Sequence, residues 1–313
     1  MARQSLKDKR ILVTGSTGFV GSHLVKKLNL EGAGVFQLSR VLTGKRVLKG
    51  NIIEYSTLEN FITNNKIQMC IHLAAESLVE LGQTEPYKTF KTNIDGTLNI
   101  LEVARKHGLE KVIVASTVHV YGKNKVPYVE RYTPRPSRPY ETSKACTDLI
   151  AQSYADTFQL PVLIPRFVNI YGPGDLNFSR LIPKTIKSVL HNKSPEMWGG
   201  DSIRDYLYID DVINAYLELL CVPLDKIKGN RIFNFGSGNK ASVKEVIQTI
   251  INYSGNNLAI KRIDDQRSLE IDEQYVSFAK AKKHLEWEPR TALDHGLTQT
   301  LEWYKNYFAK KSL

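Results

Sequence analysis

The chain has 313 residues and a mass of 35.5 kDa, long enough for one large α/β unit or about two ordinary domains. Hydrophobic residues make up 42% of it and charged residues 24%, which excludes an intrinsically disordered chain, a fibrous protein and a disulfide-stapled miniprotein. The net charge of +11 is dispersed, without a long basic block or a nucleic-acid-binding motif, so it favours polyanionic small molecules over nucleic acid.

The first half of the sequence alternates between apolar strands and amphipathic helices. Residues 10–14 predict a strand, a glycine cluster follows, and the apolar residues from Phe19 to Leu28 have helical spacing. Strands that are apolar throughout are typical of a parallel sheet covered on both faces. The expected fold class is therefore α/β, with a Rossmann-type doubly wound parallel sheet. Further strands are predicted at 35–38, 69–73, 111–115 and 161–166, and a helix at 93–107 that Gly108 ends.

After residue 165 the sequence becomes richer in proline and glycine, as in the segment YGPG at 171–174. This composition is typical of loops that bind ligands. We therefore expect a Rossmann domain over residues 1–165 and a smaller, mainly substrate-binding region over 166–313, with some elements that return to the first domain.

A glycine-rich turn joins the first predicted strand to the first helix. The segment TGSTGFVG at 14–21 places its glycines directly after the strand and at the start of the helix. Glycines there permit a tight turn and a close approach of the backbone to a pyrophosphate, which the positive end of the helix stabilises. A dinucleotide cofactor is therefore expected to contact Gly15, Thr17, Gly18, Phe19, Val20 and Gly21.

The end of the second predicted strand indicates which dinucleotide binds. Enzymes that prefer NAD usually carry an acidic residue there, which binds the ribose 2′-hydroxyl, whereas this chain has Ser39 and Arg40. With no carboxylate to repel a 2′-phosphate and a guanidinium to pair with it, NADP is the expected cofactor and NAD the alternative. Otherwise, Arg40 is a solvated loop charge.

Tyr140 and Lys144 form a Tyr-x-x-x-Lys pattern behind Pro139, a residue that suits the first turn of a helix. On a helix this spacing puts the phenol and the ammonium on one face, where the positive charge is expected to lower the pKa of the phenol from about 10 towards 7. Tyr140 could then act as a general base toward a hydroxyl group. Ser116 and Thr117 follow a predicted strand and supply hydroxyls that could hold the substrate oxygen.

Together these motifs resemble those of the extended short-chain dehydrogenases/reductases, in their nucleotide-sugar epimerase/dehydratase family. The resemblance runs nearly from end to end and implies an NAD(P)-dependent enzyme that acts on a nucleotide-diphosphate sugar. Besides the glycine turn and YETSK at 140–144, the segments that carry it are IHLAAES at 71–77, TNIDGT at 92–97, STVHVYG at 116–122, PRFVNIYGPGD at 165–175, RDYLYIDD at 204–211 and FAKAKKHLEWEP at 278–289.

The resemblance also implies roles for single residues. Thr117, Tyr140 and Lys144 match the catalytic triad, and Lys144 would also hold the nicotinamide ribose. The residues that would lie along the cofactor are Ala74, Ala75 and Ser116. Those that would contact the substrate are His119, Asn169, Leu181, Arg204 and Arg267. Forked guanidinium groups suit a diphosphate, although either arginine could instead form a salt bridge and Leu181 could be an ordinary core residue.

The shared first step of the family would be oxidation of the sugar 4-hydroxyl, with Tyr140 taking the proton and the nicotinamide the hydride. Typical 4,6-dehydratases carry an Asp-Glu pair after the catalytic threonine, where this chain has Val118 and His119. Valine transfers no proton, whereas His119 could be a base or a histidine satisfied by local hydrogen bonds. We therefore expect an epimerase acting through a 4-keto sugar, with an NADPH-dependent 4-keto reductase, an atypical 4,6-dehydratase and a non-catalytic NADP-sensing protein as alternatives.

Relatives commonly dimerise through the two helices that here would contain residues 93–107 and 140–158, so a homodimer is expected. No apolar run approaches the roughly 18 residues that span a bilayer, and the start of the chain lacks a signal-peptide core, which predicts a cytoplasmic protein without membrane partners. Cys70, Cys146 and Cys221 have no paired spacing, so neither a disulfide nor a metal site is expected.

Overall fold

Strands and helices alternate along the chain, as the apolar pattern predicts. The computed structural model describes residues 5–198, 202–227, 229–263 and 271–311. The strands are β1 (Arg10–Thr14), β2 (Gly34–Ser39), β3 (Val47–Lys49), β4 (Met69–His72), β5 (Lys111–Val114), β6 (Ser116–Thr117), β7 (Val162–Phe167), β8 (Asn169–Tyr171), β9 (Glu196–Trp198), β10 (Ile203–Tyr208), β11 (Ile232–Phe235), β12 (Lys240–Ser242), β13 (Lys261–Ile263) and β14 (Glu273–Gln274). The helices are α1 (Phe19–Leu30), α2 (Tyr55–Asn64), α3 (Val79–Thr84), α4 (Pro86–His107), α5 (Pro139–Phe158), α6 (Leu181–Leu190), α7 (Ile209–Cys221), α8 (Val243–Ser254), α9 (Ala279–Leu285) and α10 (Leu293–Lys311), with a 3-10 turn at Val118–Tyr121.

The central sheet is parallel, with the strand order β11-β7-β5-β4-β1-β2-β3 and with β6 alongside β7. β1 lies between β2 and β4, so the strand order reverses direction there. In open α/β sheets, ligands bind in the crevice at the carboxyl ends of the strands where this reversal occurs. The doubly wound Rossmann-type sheet predicted from the sequence is confirmed.

Alternate residues of each inner strand point to opposite faces of the sheet, and both faces are covered. Ile11 and Val13 of β1 belong to one buried apolar cluster, whereas Leu12 between them belongs to the other. Because a strand with two buried faces has no polar side, its sequence reads as a continuous apolar run. This is why β1, β2, β4, β5 and β7 could be recognised without an alternating pattern.

Some element boundaries differ from the predicted ones. α4 begins at Pro86 rather than at residue 93, and it ends where predicted, with Gly108 in the left-handed conformation. Its first turns carry buried polar residues such as Thr89 and Asn93, which a search for apolar periodicity does not detect. The short strand β3 and helix α2 lie in a segment for which the sequence predicted no element.

The C-terminal half builds a smaller layer beside the sheet and also contributes to the sheet itself. β8 pairs with β10 in parallel, which places Asn169 opposite Tyr206. β11 returns to the edge of the central sheet beside β7. The buried ammonium of Lys111, at the start of β5, donates to the carbonyls of Leu220 and Val222 at 2.7 Å each, which ties the end of α7 to the sheet. Within the described residues, no helix is long and apolar enough to cross a membrane.

Candidate active site

The turn between β1 and α1 can be formed only by glycines at its two tightest points. Gly15 has φ +67°, and a Cβ atom there would lie 2.9 Å from the backbone nitrogen of Ala74. A side chain at Gly21 would overlap the carbonyl oxygen of Gly15. Helix α1 begins with Gly18 as its N-cap, without a side-chain cap and without an acidic residue in its first turn. Its first N–H groups and the positive helix end are therefore open to an anion, which fits a dinucleotide pyrophosphate.

A buried hydrogen-bond chain holds this turn in place. The Thr14 hydroxyl accepts from the backbone N–H groups of Leu73 and Ala74 at 3.1 Å each, so its single proton must go to His72 Nδ1, 2.8 Å away. His72 Nε2 then donates to the Thr97 hydroxyl at 3.2 Å. Burial lowers the pKa of His72 to about 3, with a further contribution from the Lys144 charge, so the ring is a neutral structural group.

Arg40, which is predicted to select NADP, lines the cavity at the end of β2. Arg40 follows β2 with 73% of its side chain exposed, and its Nη1 lies 3.8 Å from Glu76 Oε1. The Ser39 hydroxyl accepts from the N–H groups of Val41 and Leu42 at 3.2 and 3.0 Å, so its proton stays available. The expectation that no carboxylate lies beside Arg40 is wrong, because Glu76 reaches it from the segment after β4. Only the sheet brings it next to Arg40.

The predicted catalytic residues meet at the carboxyl ends of the sheet strands. Thr117 ends β6, and Tyr140 and Lys144 lie on the first turns of α5. The Thr117 and Tyr140 hydroxyls are neighbours, close enough for a hydrogen bond between them to lower the pKa of Tyr140. Burial raises the pKa of Tyr140 to about 12, against the lowering effects of the Arg180 guanidinium and of that hydrogen bond. Burial also lowers the pKa of Lys144 to about 8.

The prediction that Lys144 lowers the pKa of Tyr140 towards 7 is therefore wrong for the protein by itself. The cationic side chain that acts on the Tyr140 phenol is Arg180, whose charge opposes the effect of burial. Removal of the phenol from water outweighs it, because an anion loses most from burial. Tyr140 thus holds its proton at neutral pH until further positive charge reaches the site.

A buried ion pair joins α5, which carries Tyr140 and Lys144, to β7. Asp148, one turn after Lys144, accepts from Arg166 Nε and Nη2 at 2.8 and 2.9 Å, and both side chains are at most 1% exposed. Ser116 Oγ also donates to Asp148, at 2.8 Å. Ser116 lines the cavity as predicted, but its hydroxyl proton is already engaged by this carboxylate.

His119 lies on the 3-10 turn after Thr117, and its side chain is 25% exposed. Its Nδ1 is 3.8 Å from Oε1 of the buried Glu141. Val118 is 1% exposed and belongs to the apolar core, so it reaches no ligand. Of the two positions that carry acids in typical dehydratases, only that of His119 faces the site.

The opposite side of the site is built from β8, β10 and the start of α6. Asn169 donates to the Asp205 carbonyl at 3.4 Å, and Arg204 Nη1 donates to the carbonyls of Ile203 and Asp272 at 3.0 and 3.2 Å. Leu181, the first residue of α6, is half-buried. The predicted contact Arg267 lies outside the described residues.

Sequence reasoning missed several cavity residues. Arg180 forms an ion pair with Asp175 at 3.1 Å and is the cationic neighbour of Tyr140 noted above. The hydroxyl of Tyr206, whose residue is 5% exposed, has no hydrogen-bond partner among the described residues. Tyr206 lies in the segment 204–211 that carries the family resemblance, and Arg180 directly precedes the predicted contact Leu181, so the available signal was their position and not their residue type. Arg138, Phe167 and Tyr216 also line the cavity, and nothing in their local sequence indicates it.

These residues surround one continuous cavity of about 1210 Å³. A single small ligand typically occupies about 300–1,000 Å³, so the volume suits a dinucleotide together with a second nucleotide. Among the described residues, no cluster of His, Cys, Asp or Glu side chains could hold a metal ion. The sequence-predicted residues that line the cavity are Gly15, Thr17, Gly18, Phe19, Val20, Gly21, Arg40, Ala74, Ala75, Ser116, Thr117, His119, Tyr140, Lys144, Asn169, Leu181 and Arg204.

The chain is similar to known proteins over nearly its whole length. The family model described as the NAD dependent epimerase/dehydratase family matches residues 11–236. The chain is 28% identical to human dTDP-D-glucose 4,6-dehydratase, over 96% of this chain and 91% of that protein. It is 32% identical to a putative UDP-glucose 4-epimerase of Methanocaldococcus jannaschii, over 95% of this chain and 98% of that protein. Among solved structures it is similar to the UDP-glucose 4-epimerase of Thermotoga maritima, with a TM-score of 0.89 and 29% identity over 96% of this chain and 99% of that one.

Proposed function

Since this chain belongs to the NAD-dependent epimerase/dehydratase family of extended short-chain dehydrogenases/reductases, we propose that it is a nucleotide-sugar 4-epimerase acting through a 4-keto intermediate. One observation carries this proposal. The hydroxyls of Tyr140 and Thr117 are neighbours at the wall of a cavity that also contains the glycine turn and has room for two nucleotides. Their hydroxyls are thus available to a sugar hydroxyl beside a dinucleotide.

The protein groups that would hold the cofactor follow from the site. The N–H groups at the start of α1 suit its pyrophosphate, Lys144 its nicotinamide ribose, and Ala74 and Ala75 line its path. When bound, an oxidised nicotinamide supplies a hydride acceptor and a positive ring charge. We further propose that NADP is preferred, because Arg40 is exposed and the Ser39 hydroxyl has a proton to donate to a 2′-phosphate.

In the proposed reaction, Tyr140 Oη takes the proton of the sugar 4-hydroxyl, and Thr117 hydrogen-bonds the same oxygen. The pKa of Tyr140, raised to about 12 by burial, would fall when positive charge approaches in this water-poor site, because Coulomb interactions are strong there. Lys144, with a pKa of about 8, stays largely protonated at neutral pH and adds to the positive charge of the site. Inversion at C4 then requires only that the keto sugar turns over before it is reduced again.

The substrate diphosphate is proposed to lie against Arg204 and Asn169, with Leu181 near the nucleotide base. Arg204 already donates to backbone carbonyls, which holds its guanidinium at the cavity wall. The unpartnered Tyr206 hydroxyl in the same strand is a further donor for a ligand oxygen, because a buried hydroxyl without a partner costs stability. A dinucleotide and a nucleotide diphosphate together also explain why a cavity for anions is lined by so many cationic groups.

A specific observation favours an NADPH-dependent 4-keto-sugar reductase as the second candidate. Epimerases of this family usually recycle a tightly held NAD, whereas NADP preference leans toward a reductase. If Arg40 selects NADP, the cofactor therefore favours a net reduction over epimerisation. A 4,6-dehydratase is third, because the buried Val118 supplies no acid.

The test is a proton NMR time course of the purified protein with NADP or NAD and hexoses linked to UDP, GDP, CDP and dTDP. A 4-epimer with catalytic cofactor is the expected product. A 4-keto-6-deoxy product would replace epimerisation by dehydration. Turnover confined to 4-keto sugars with stoichiometric NADPH would establish the reductase.

We also propose a homodimer formed through α4 and α5. Leu149 and Phe158 on α5 are 54% and 48% exposed, which leaves apolar area on the outer face of this helix. Light scattering coupled to size exclusion should show a dimer of wild type and a monomer of Leu149→Glu. A monomeric wild type would remove the proposal.

A further inference from the structure

His119 has a side chain that local structure does not satisfy. Within the described part of the chain its ring makes no hydrogen bond, since the Nδ1–Oε1 distance of 3.8 Å to Glu141 exceeds hydrogen-bond range. A structural histidine would resemble His72, whose two ring nitrogens both have hydroxyl partners. The exposed part of the His119 ring instead lines the cavity that contains Thr117 and Tyr140.

Glu141 is fixed behind this ring. As the N3 residue of the α5 capping box, it accepts at Oε2 from the backbone N–H groups of Ser137 and Arg138 at 3.2 and 3.3 Å, and the residue is 2% exposed. Its Oε1 lies on the side of His119 Nδ1. The ring therefore has a carboxylate at one nitrogen, which leaves Nε2 on the other side of the ring. A base oriented by a carboxylate is the arrangement that recurs in proton-transfer sites.

Burial, helped by two nearby guanidinium groups, favours the neutral form of the His119 ring. Burial lowers the pKa of His119, and the guanidinium groups of Arg204 from β10 and Arg138 from α5 lower it further, while Glu141 opposes them. At neutral pH the imidazole is therefore free to accept a proton. When it has accepted one, Glu141 stabilises the resulting cation.

We propose that His119, oriented by Glu141, is a second acid–base residue, which removes and returns a proton at a carbon next to C4 of the sugar. The proposal rests on the 4-keto intermediate of the proposed function. Nε2 takes the proton from C3 or C5, the C–H electron pair forms a C=C bond to C4, and the carbonyl pair moves onto O4 as an enolate. Return of the proton reverses the step, so no oxidant or reductant is consumed. Thr117 and Tyr140 donate hydrogen bonds to the enolate oxygen.

The test supplies the keto sugar directly, so that it does not depend on oxidation at C4. The NADP-loaded protein is incubated in D₂O with 4-keto-6-deoxyglucose linked to UDP, GDP, CDP or dTDP, and proton NMR follows the loss of the H3 and H5 signals. Wild type is expected to accelerate exchange at one of these carbons over buffer. His119→Gln should lose about 10²-fold or more of that acceleration, the usual contribution of general base catalysis. His107→Gln, at the exposed end of α4, is the matched control and should retain it.

Glu141→Gln separates orientation from folding. Glutamine also serves as the capping partner of a helix, so α5 keeps its N-terminal bonds while the charge behind His119 is lost. The pH midpoint of exchange should move to lower pH, because the carboxylate that raises the pKa of His119 is gone. A merely structural role of Glu141 would leave that midpoint in place.

The outcomes distinguish this proposal from the function on which it rests. In one outcome, saturation-transfer NMR shows that the keto sugars bind, but their H3 and H5 protons exchange no faster than in buffer. This result overturns the role of His119 and does not affect the proposed 4-epimerisation. A second outcome is that wild type exchanges the proton, His119→Gln does not, and wild type epimerises none of the hexoses. This result supports the role of His119 and excludes the 4-epimerase. A protein that binds no probe overturns both.

Discussion

The two walls of the cavity are held in different ways. The wall proposed to bind the cofactor, formed by the β1–α1 turn and the end of β4 and called the cofactor wall, is fixed by backbone contacts and buried hydrogen bonds, such as those of Thr14 with His72. The wall proposed to bind the substrate, formed by Asn169, Arg180, Leu181 and Arg204, presents long side chains, of which Arg180 is 37% exposed. Backbone geometry leaves few alternatives, so the cofactor wall identifies the family. The side chains opposite it can be exchanged without changing the fold, so we expect them to select the reaction.

Removal of the Tyr140 hydroxyl, where the two walls meet, should have the largest effect. Tyr140→Phe keeps the half-buried ring and loses the proton acceptor, so we expect kcat to fall by about 10²–10⁴-fold. Steady-state kinetics measure kcat, and fluorescence titration should give an unchanged cofactor affinity. Intact turnover in this variant would exclude Tyr140 as the base.

The cofactor wall should tolerate almost no added atoms. In Gly21→Ala the new methyl group overlaps the Gly15 carbonyl oxygen, which we expect to cost about 1–3 kcal/mol of stability and to weaken cofactor binding about tenfold or more. Gly34→Ala is the matched control, since a Cβ atom there lies 3.5 Å from its nearest neighbour. Urea unfolding and cofactor titration measure both quantities. Equal behaviour of the two variants would mean that the turn adapts and that the wall is not rigid.

At Arg40 the cofactor wall depends on an exposed side chain, so the effect of its removal should be smaller and confined to one ligand. Arg40→Ala should weaken NADP binding about tenfold and leave NAD binding unchanged, because only NADP has the 2′-phosphate. Glu76→Gln should strengthen NADP binding slightly, since it removes the carboxylate 3.8 Å from Arg40. Calorimetric titration with both dinucleotides measures the difference. An equal loss for NAD and NADP would contradict the proposed preference.

Lys111, which joins β5 to the end of α7, should make the free energy of unfolding depend modestly on pH. Burial lowers the pKa of Lys111 to about 8 from its usual 10.5, despite the opposing effects of Cys221 and Glu110. Between these values the unfolded chain binds more protons, so this residue makes the free energy of unfolding rise with pH. Lys111→Met lacks that contribution, and its stability relative to wild type should fall by about 1 kcal/mol between pH 8 and pH 9.5. Parallel urea unfolding of the two proteins at both pH values tests this, and identical slopes would disprove it.

The sequence predicted the central strands, α1, the start of α5 and the family because each depends on residues that are neighbours in the chain. It located the substrate contacts less completely. Arg180 was passed over beside Leu181, and the start of α4 was missed because its buried side chains, such as Thr89 and Asn93, are polar. The prediction for the pKa of Tyr140 failed because it counted one local charge and not burial.

By itself, the sequence determined the glycine turn, the parallel sheet and the Tyr-x-x-x-Lys helix, since strand, turn and helix preferences act over a few residues. Only the tertiary structure decided which charges meet in the cavity. Glu76 reaches Arg40 from another strand, Arg204 reaches His119 from the second half of the chain, and burial raises the pKa of Tyr140. Desolvation and Coulomb interactions depend on distance in space, and a linear sequence does not contain that distance.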